Sequence, residues 1–419
     1  MSKPATAVAL EATPQPTGAR SLSGVPISGR TVLIRADLNV PMKGRCVTDT
    51  TRIDRFAPTI NRLAMQGARV IVMSHLGRPD GKPDPAYSLA PVAGALSAAT
   101  GRPVTFIPAC IGTAARSGVH TVPYGGIGML ENLRFHEQEE ANDDGFAREL
   151  ATLGDVYVND AFSCAHRAHA STHRIAQLLP SYAGPSMEME IAALTLALER
   201  PERPMAALVG GAKVSSKIPV LEYLLPKVDV LIIGGGMANT FLLAQGRTIG
   251  RSLAEPGHMD TARRILASAA SKGCEIVLPV DVVAADEFKA GARWRITDAD
   301  AVPGDSMILD VGPRTVEELS RRLASVRTLL WNGPLGAFET EPFGAATFAL
   351  ARAARDRTAL NELVTIAGGG DTVAALNAAG VKDDFTYVST AGGAFLEWLE
   401  GKTLPGVEVL LGPQTIKES

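Results

Sequence analysis

Residues 160–173 read DAFSCAHRAHASTH and place His166, His169 and His173 at i, i+3, i+7, with Arg167 among them. Two chemistries use such a set. Three histidines along one helical face could hold zinc, which commonly takes three protein ligands in catalytic sites. A basic turn could instead hold an anion. A third reading, histidines satisfied around a helix cap, needs no ligand at all. Against zinc, Arg167 puts a fixed positive charge inside the cluster, no H-E-x-x-H occurs, and Cys164 and Asp160 lack partners at motif spacing. Tipping the balance to an anion, His75 and Arg78 follow one apolar run of the same half and Arg134 follows another. The turn is therefore read as an anion site in which Arg167 binds phosphate or carboxylate. His166 and His169 are expected to add charge or donors and to titrate near neutrality.

The second half offers a different chemistry. GGAK, GGGM, GGGD and AGGA each follow an apolar run and mostly precede a helical pattern. Glycine there lets backbone N–H groups approach phosphate oxygens, and a helix N-terminus adds positive potential. Neither G-x-x-x-x-G-K-[ST] nor G-x-G-x-x-G is present, which excludes a Walker loop and a dinucleotide fingerprint. Lys213 and Lys217 lie four apart beside the first turn, either as solvated helix lysines or as phosphate contacts. Asp371 suits a cap for the following helix or a Mg²⁺ ligand, which typically takes one or two carboxylates plus phosphate oxygens. Glu339 suits a ribose contact or plain solvation.

These residues need elements to present them. The runs TVLIRADLNVP, ARVIVMSHLGR, IGMLENLRF and DVYVNDAFS in the first half are short, rich in Val, Ile and Leu, and barely alternate, as do MAALVGGAK, DVLIIGGGMA, TLLWNGPLG, LVTIAGGGDT and FTYVSTAGGA in the second. That pattern suits strands covered on both faces. Helical stretches such as 52–67 and 260–273 alternate with them, which argues for doubly wound parallel sheets. The expected fold is α/β: two doubly wound, Rossmann-like parallel-sheet domains joined by an interdomain helix and hinge at 181–204. The domains are read as 25–186, with 403–419 packing back on it, and 187–402, after an N-terminal extension over 1–24. In open parallel sheets ligands bind beyond the carboxyl ends of strands, where Arg35, Asp37, Asn39, Asp160 and Asn332 also fall.

Bulk properties agree. A chain of 419 residues is too long for one core. A net charge of −3 leaves no basic excess for a nucleic-acid backbone. Four dispersed cysteines without C-x-x-C suit free thiols in a reducing compartment. No apolar run approaches membrane-spanning length, and 1–24 lacks the pattern of a targeting signal, so a cytoplasmic protein is expected.

The motifs RADLNVP, MSHLGRPDG, LENLRF, VNDAFSCAHRAHAST, GGAKVSSKI, IIGGGMANTF, WNGPLGAFE and GGGDT, in this order from about residue 25 to 412, resemble the phosphoglycerate kinase family. The resemblance implies a bilobal, monomeric glycolytic enzyme that transfers phosphoryl between 1,3-bisphosphoglycerate and ADP, giving 3-phosphoglycerate and ATP with Mg²⁺. It places the triose on Asp37, Asn39, Arg52, His75, Arg78, Arg134 and Arg167. It places the nucleotide on Lys213, Lys217, Glu339, Gly369, Gly370, Asp371 and Thr372, with Asp371 toward Mg²⁺. It makes Arg52 and Lys217 the catalytic pair. Arg52, in TTRIDRF, lies on a helix and escapes a strand-end reading. Ala391 stands where the family commonly has glycine, Met189 where lysine is frequent, and Cys164 where threonine is frequent. The acceptor carboxylate is ionised at neutral pH, so the chemistry expected is domain closure and charge stabilisation without a general base.

Overall fold

The computed structural model describes residues 18–411. Contacts divide the chain into two compact units, which within those residues comprise 18–191 with 403–411, and 192–402. The division falls inside the helix Pro185–Leu198, later than the 186/187 boundary read from the sequence. Of the segment 1–24, residues 1–17 lie outside the described ones. Arg20 belongs to the first unit, donating to Ser181 O (3.0 Å) and Val409 O (2.9 Å).

The first unit carries six parallel strands in the order Val104–Ile107, Ile127–Leu130, Arg69–Met73, Thr31–Arg35, Val156–Asn159, Ser181–Ala183. Every residue of Thr31–Arg35, Ile127–Leu130 and Val156–Asn159 is buried, as non-alternating apolar runs demand. Helix Thr51–Met65 turns Ile53, Phe56, Ile60 and Leu63 into the core. This i, i+3, i+7, i+10 stripe stabilises by roughly 1.5–3 kcal/mol per side chain relative to exposure. The chain-order reversal lies between Thr31–Arg35 and Val156–Asn159, and the register pairs Arg35 with Asn159. The loops leaving those two strands therefore share one sheet end.

The second unit also has six parallel strands: Glu275–Val277, Val230–Ile233, Met205–Val209, Thr328–Asn332, Val364–Ala367, Tyr387–Val388. Taken by chain position this is third, second, first, fourth, fifth, sixth, with the reversal between Met205–Val209 and Thr328–Asn332. Val209 pairs with Asn332, and Gly210 N donates to Asn332 O at 2.8 Å. A three-stranded antiparallel sheet, Trp294–Asp298, Asp281–Ala285, Met307–Val311, was not foreseen. It packs Val282 and Ala284 on Leu242 and Ile249. No helix among the described residues is long and apolar enough to cross a membrane.

A buried carboxylate of the first unit ties stability to pH. Asp160 accepts from Ser186 N (2.7 Å) and Met187 N (3.1 Å), capping helix Pro185–Leu198. Burial pushes its carboxyl up to about 7, against the pull of those two amides. An unfolded aspartate titrates near 3.9, so the folded chain binds the extra proton and stability falls as pH rises from about 4 to 7. Asp160→Asn keeps an acceptor oxygen and cannot ionise. Its melting temperature should match the parent near pH 4 and exceed it at pH 8, by up to about 4 kcal/mol of stability. A variant less stable than the parent at pH 8 would show that the charged cap is the favoured one.

Candidate active site

In the first unit the expected site residues come from four strand ends and one helix, the cationic ones from three of those ends and the helix. Asp37, after strand Thr31–Arg35, is buried and accepts from Arg52, in the first turn of helix Thr51–Met65, and from Ser163 Oγ at 2.5 Å. Asn39 Oδ1 accepts from Gly77 N at 2.9 Å, and Arg134 donates to Gly77 O at 2.9 Å. Gly77 therefore pins two site residues beside Arg78. Its φ of 61° is left-handed, and a Cβ there would meet the Tyr87 ring.

The four arginines are not equivalent. Arg52 is half exposed, and Arg78 and Arg167 are exposed. Arg134 is internal, its side chain only 7% exposed and paired with Glu140 at 3.0 Å. Its burial lowers the guanidinium pKa, which Glu140 opposes. Arg35, read as a crevice residue at its strand end, is instead wholly buried. Its guanidinium bonds to Ser171 Oγ (3.0 Å), Ala36 O (2.7 Å) and His75 Nδ1 (3.0 Å).

The histidine cluster is not one helical face. A short 3₁₀ turn, Phe162–Cys164, leads through residues 165–169 into a single π-turn, Ala170–Arg174. His166 accepts from Arg167 Nε at 3.0 Å, whereas His173 meets Asn142 Nδ2 at 3.1 Å. His169 corrects the expectation of titration near neutrality. Burial, then the charges of Arg134, Arg35 and Arg167, push its pKa to about 3, so the ring stays neutral and adds no charge. His75 is likewise held well below its usual value by burial and by Arg35. Among the described residues, the group of ligating atoms within 4.8 Å of one another is Asp37, His75 and Cys164, not the three histidines. Arg35 already lies 3.0 Å from His75 Nδ1 and 3.8 Å from Cys164 Sγ, and a resident guanidinium opposes a metal cation.

In the second unit a cleft of about 260 Å³ opens at the reversal between Met205–Val209 and Thr328–Asn332. Lys213, Lys217, Gly369, Gly370, Asp371 and Thr372 all line it, as does Asn332. Lys217 Nζ donates to Asn332 Oδ1 at 2.7 Å, and Asn332 Nδ2 donates to Gly368 O at 2.8 Å. Burial lowers the Lys217 ammonium pKa, opposed by Asp371 and Glu400. Thr372 Oγ1 accepts from Gly333 N at 2.7 Å, tying the two loops together.

Gly369 takes φ 98° as the N-cap of helix Gly370–Ala378, where a Cβ would lie 2.7 Å from Asn332 Nδ2. Asp371 therefore does not supply the cap: no side-chain cap bond is made, and its carboxylate is exposed to the cleft. One free carboxylate beside a glycine turn fits Mg²⁺ held mainly by phosphate oxygens. Glu339 is exposed and lies outside the lining of this cleft. Ala391 is buried, without positive φ, and its N–H donates to Ser389 Oγ at 3.1 Å. The backbone there does not require glycine.

Sequence reading placed Asn332 at a strand end without seeing that it holds Lys217, and it missed Ser216 and Leu396 in the lining. The family model for phosphoglycerate kinase matches residues 22–402. Phosphoglycerate kinase of Methylobacterium radiotolerans is 60% identical over 384 residues, covering 92% of this chain and 96% of that protein. That of Granulibacter bethesdensis is 58% identical over 391 residues, covering 93% and 99%. Of solved structures, phosphoglycerate kinase from Coxiella burnetii matches with a TM-score of 0.88 at 44% identity, covering 94% of this chain and 98% of that one. The enzyme from Pyrococcus horikoshii matches with a TM-score of 0.77 at 30% identity, covering 93% and 98%.

Proposed function

This chain belongs to the phosphoglycerate kinase family, and from that premise we propose that it transfers phosphoryl reversibly from 1,3-bisphosphoglycerate to ADP, giving 3-phosphoglycerate and ATP. The observation that carries the reading is the cleft at the sheet reversal, where Lys217 and the turn Gly369–Thr372 face one space. Glycine amides and a helix N-terminus there suit nucleotide phosphates. Lys213 and Lys217 supply positive charge, and Asp371 would hold Mg²⁺, which screens phosphate charge when bound. Glu339 is assigned to the ribose as a contact made outside the cleft.

The triose is assigned to the first unit, on Asp37, Asn39, Arg52, His75, Arg78, Arg134 and Arg167. Planar guanidinium groups match carboxylate and phosphate oxygens two at a time, which favours arginine around the smaller ligand. With His75 and His169 neutral, the positive charge in this site comes from arginine. The acceptor carboxylate is already ionised at neutral pH, so no residue is asked to remove a proton. Arg52 and Lys217 stabilise charge on the transferring group. Ligands on separate units require closure to meet in line and exclude water. The enzyme is expected to act as a cytoplasmic monomer on small molecules, without nucleic acid.

The test is a coupled assay with purified protein, 3-phosphoglycerate and MgATP, following 1,3-bisphosphoglycerate through NADH-linked reduction. The expected rate depends on both substrates and is lost with EDTA. No turnover by folded protein would overturn the reading. Within that assay, Arg167→Ala should raise KM for 3-phosphoglycerate about 10- to 100-fold, the worth of one charged hydrogen bond, with a much smaller change in kcat. An unchanged KM would remove Arg167 from the triose site.

A further inference from the structure

Behind the triose site lies a buried polar chain that the proposed transfer does not use. Glu139 is only 1% exposed. Its carboxylate accepts from Ser171 N at 2.9 Å and from Ser171 Oγ at 2.5 Å. Ser171 Oγ in turn accepts from Arg35 Nε at 3.0 Å, and Tyr157 donates to Ser171 O at 2.7 Å. Arg35 then reaches His75 Nδ1 at 3.0 Å. Glu139, Ser171, Arg35 and His75 thus form one continuous line of hydrogen bonds, all buried.

The direction of that line is fixed by chemistry. A guanidinium has only donors, so His75 Nδ1 must accept. A ring accepting at Nδ1 is neither an imidazolium nor the Nδ1–H tautomer, which leaves the proton on Nε2. Arg35 can hold this role only while its own charge is balanced inside the protein, because an unpaired buried cation is costly. The buried carboxylate of Glu139, which also faces His169 Nδ1 at 3.9 Å, supplies that balance together with Asp37. Ser171 transmits the alignment from Glu139 by donating to one partner and accepting from the other.

We infer that Glu139 is a positioning residue for the triose site: through Ser171 and Arg35 it holds His75 in one tautomer, with Nε2–H as a directed donor to the anionic substrate. The inference rests on the assignment of His75 to that substrate. Nothing in the run FHEQEE suggests it, since four polar or acidic neighbours read as a solvated helix start. Of the helix Glu137–Glu140, Glu139 alone turns inward to burial.

Two measurements test it. In the unmodified protein, ring ¹⁵N shifts should show His75 as the neutral Nε2–H form from about pH 6 to 9. An imidazolium or an Nδ1–H ring would overturn the inference. In Glu139→Gln, which keeps the shape and removes the charge, KM for 3-phosphoglycerate should rise about 10-fold, the scale of outer partners to ligating histidines. KM for MgATP should stay within about twofold, and an Nδ1–H signal should appear. Unchanged triose KM in the folded variant, or equal losses for both substrates, would sink the idea. Should Glu139→Gln not fold, Ser171→Ala must show the same split. Absence of any turnover in the parent protein would count against the kinase reading, while the ring measurement would still decide the tautomer.

Discussion

Lys217→Ala should lower kcat about 10²- to 10³-fold, the usual cost of removing one preorganised donor to a developing charge, while KM for 3-phosphoglycerate changes little. The ammonium is half-buried and held by Asn332 Oδ1 at 2.7 Å, and Asn332 is itself fixed by Gly368 O. A charge held this way costs no reorganisation as phosphoryl moves, and it acts in a medium of lower dielectric than water. Burial depresses the Lys217 pKa while Asp371 and Glu400 oppose the fall, so nearby acidic groups help keep it an ammonium. The alanine variant leaves Asn332 Oδ1 short of a partner, at about 1–3 kcal/mol, and its melting curve should be recorded alongside. Comparable losses in kcat and in triose affinity would show that Lys217 acts on the fold or on binding, not on the transfer.

The legible part of this protein was the part written in burial. Central strands such as Thr31–Arg35 and Met205–Val209 are covered on both faces, so nearly every residue is apolar and the run stands out. The edge strands Val104–Ile107 and Glu275–Val277 escaped notice because partial exposure admits polar residues and dilutes the signal. Ser181–Ala183, though largely buried, is too short at three residues to show a period. In the antiparallel sheet, strand Trp294–Asp298 escaped through the same exposure, having no buried residue, whereas its neighbour Asp281–Ala285 is buried but short. The positions of candidate site residues were legible where a strand end fixed them, as for Asp37, His75 and Asn332. Arg35 shows the limit: the same position puts a side chain at the crevice or beneath it, and only the partners Ser171 and His75 decide. His169 shows another. Its spacing suggested a titrating group, but burial beside three arginines removes the charge, and neither burial nor that company can be counted from a motif.

Arg52→Ala should separate catalysis from stability more sharply than any other change. Arg52 occupies the first turn of helix Thr51–Met65, where the macrodipole is positive and a cation costs about 0.3–1 kcal/mol. Its partner Asp37 offsets that cost, yet Asp37 also keeps Ser163 Oγ at 2.5 Å and does not depend on Arg52 to be satisfied. A half-exposed arginine at the positive end of a helix, dependent on nearby carboxylates to be tolerated, is a placement sequences keep mainly where function requires it. Removing the guanidinium should therefore leave the melting temperature unchanged or slightly raised, while kcat falls about 10²- to 10³-fold through the lost stabilisation of the transferring group. Arg52→Lys should recover only part of the rate, because an ammonium restores the charge without the planar fork. The decisive measurement pairs steady-state kinetics with thermal melts on the same preparations. A variant that loses stability and activity together would make Arg52 a structural partner of Asp37; one that keeps its kcat would remove it from the reaction.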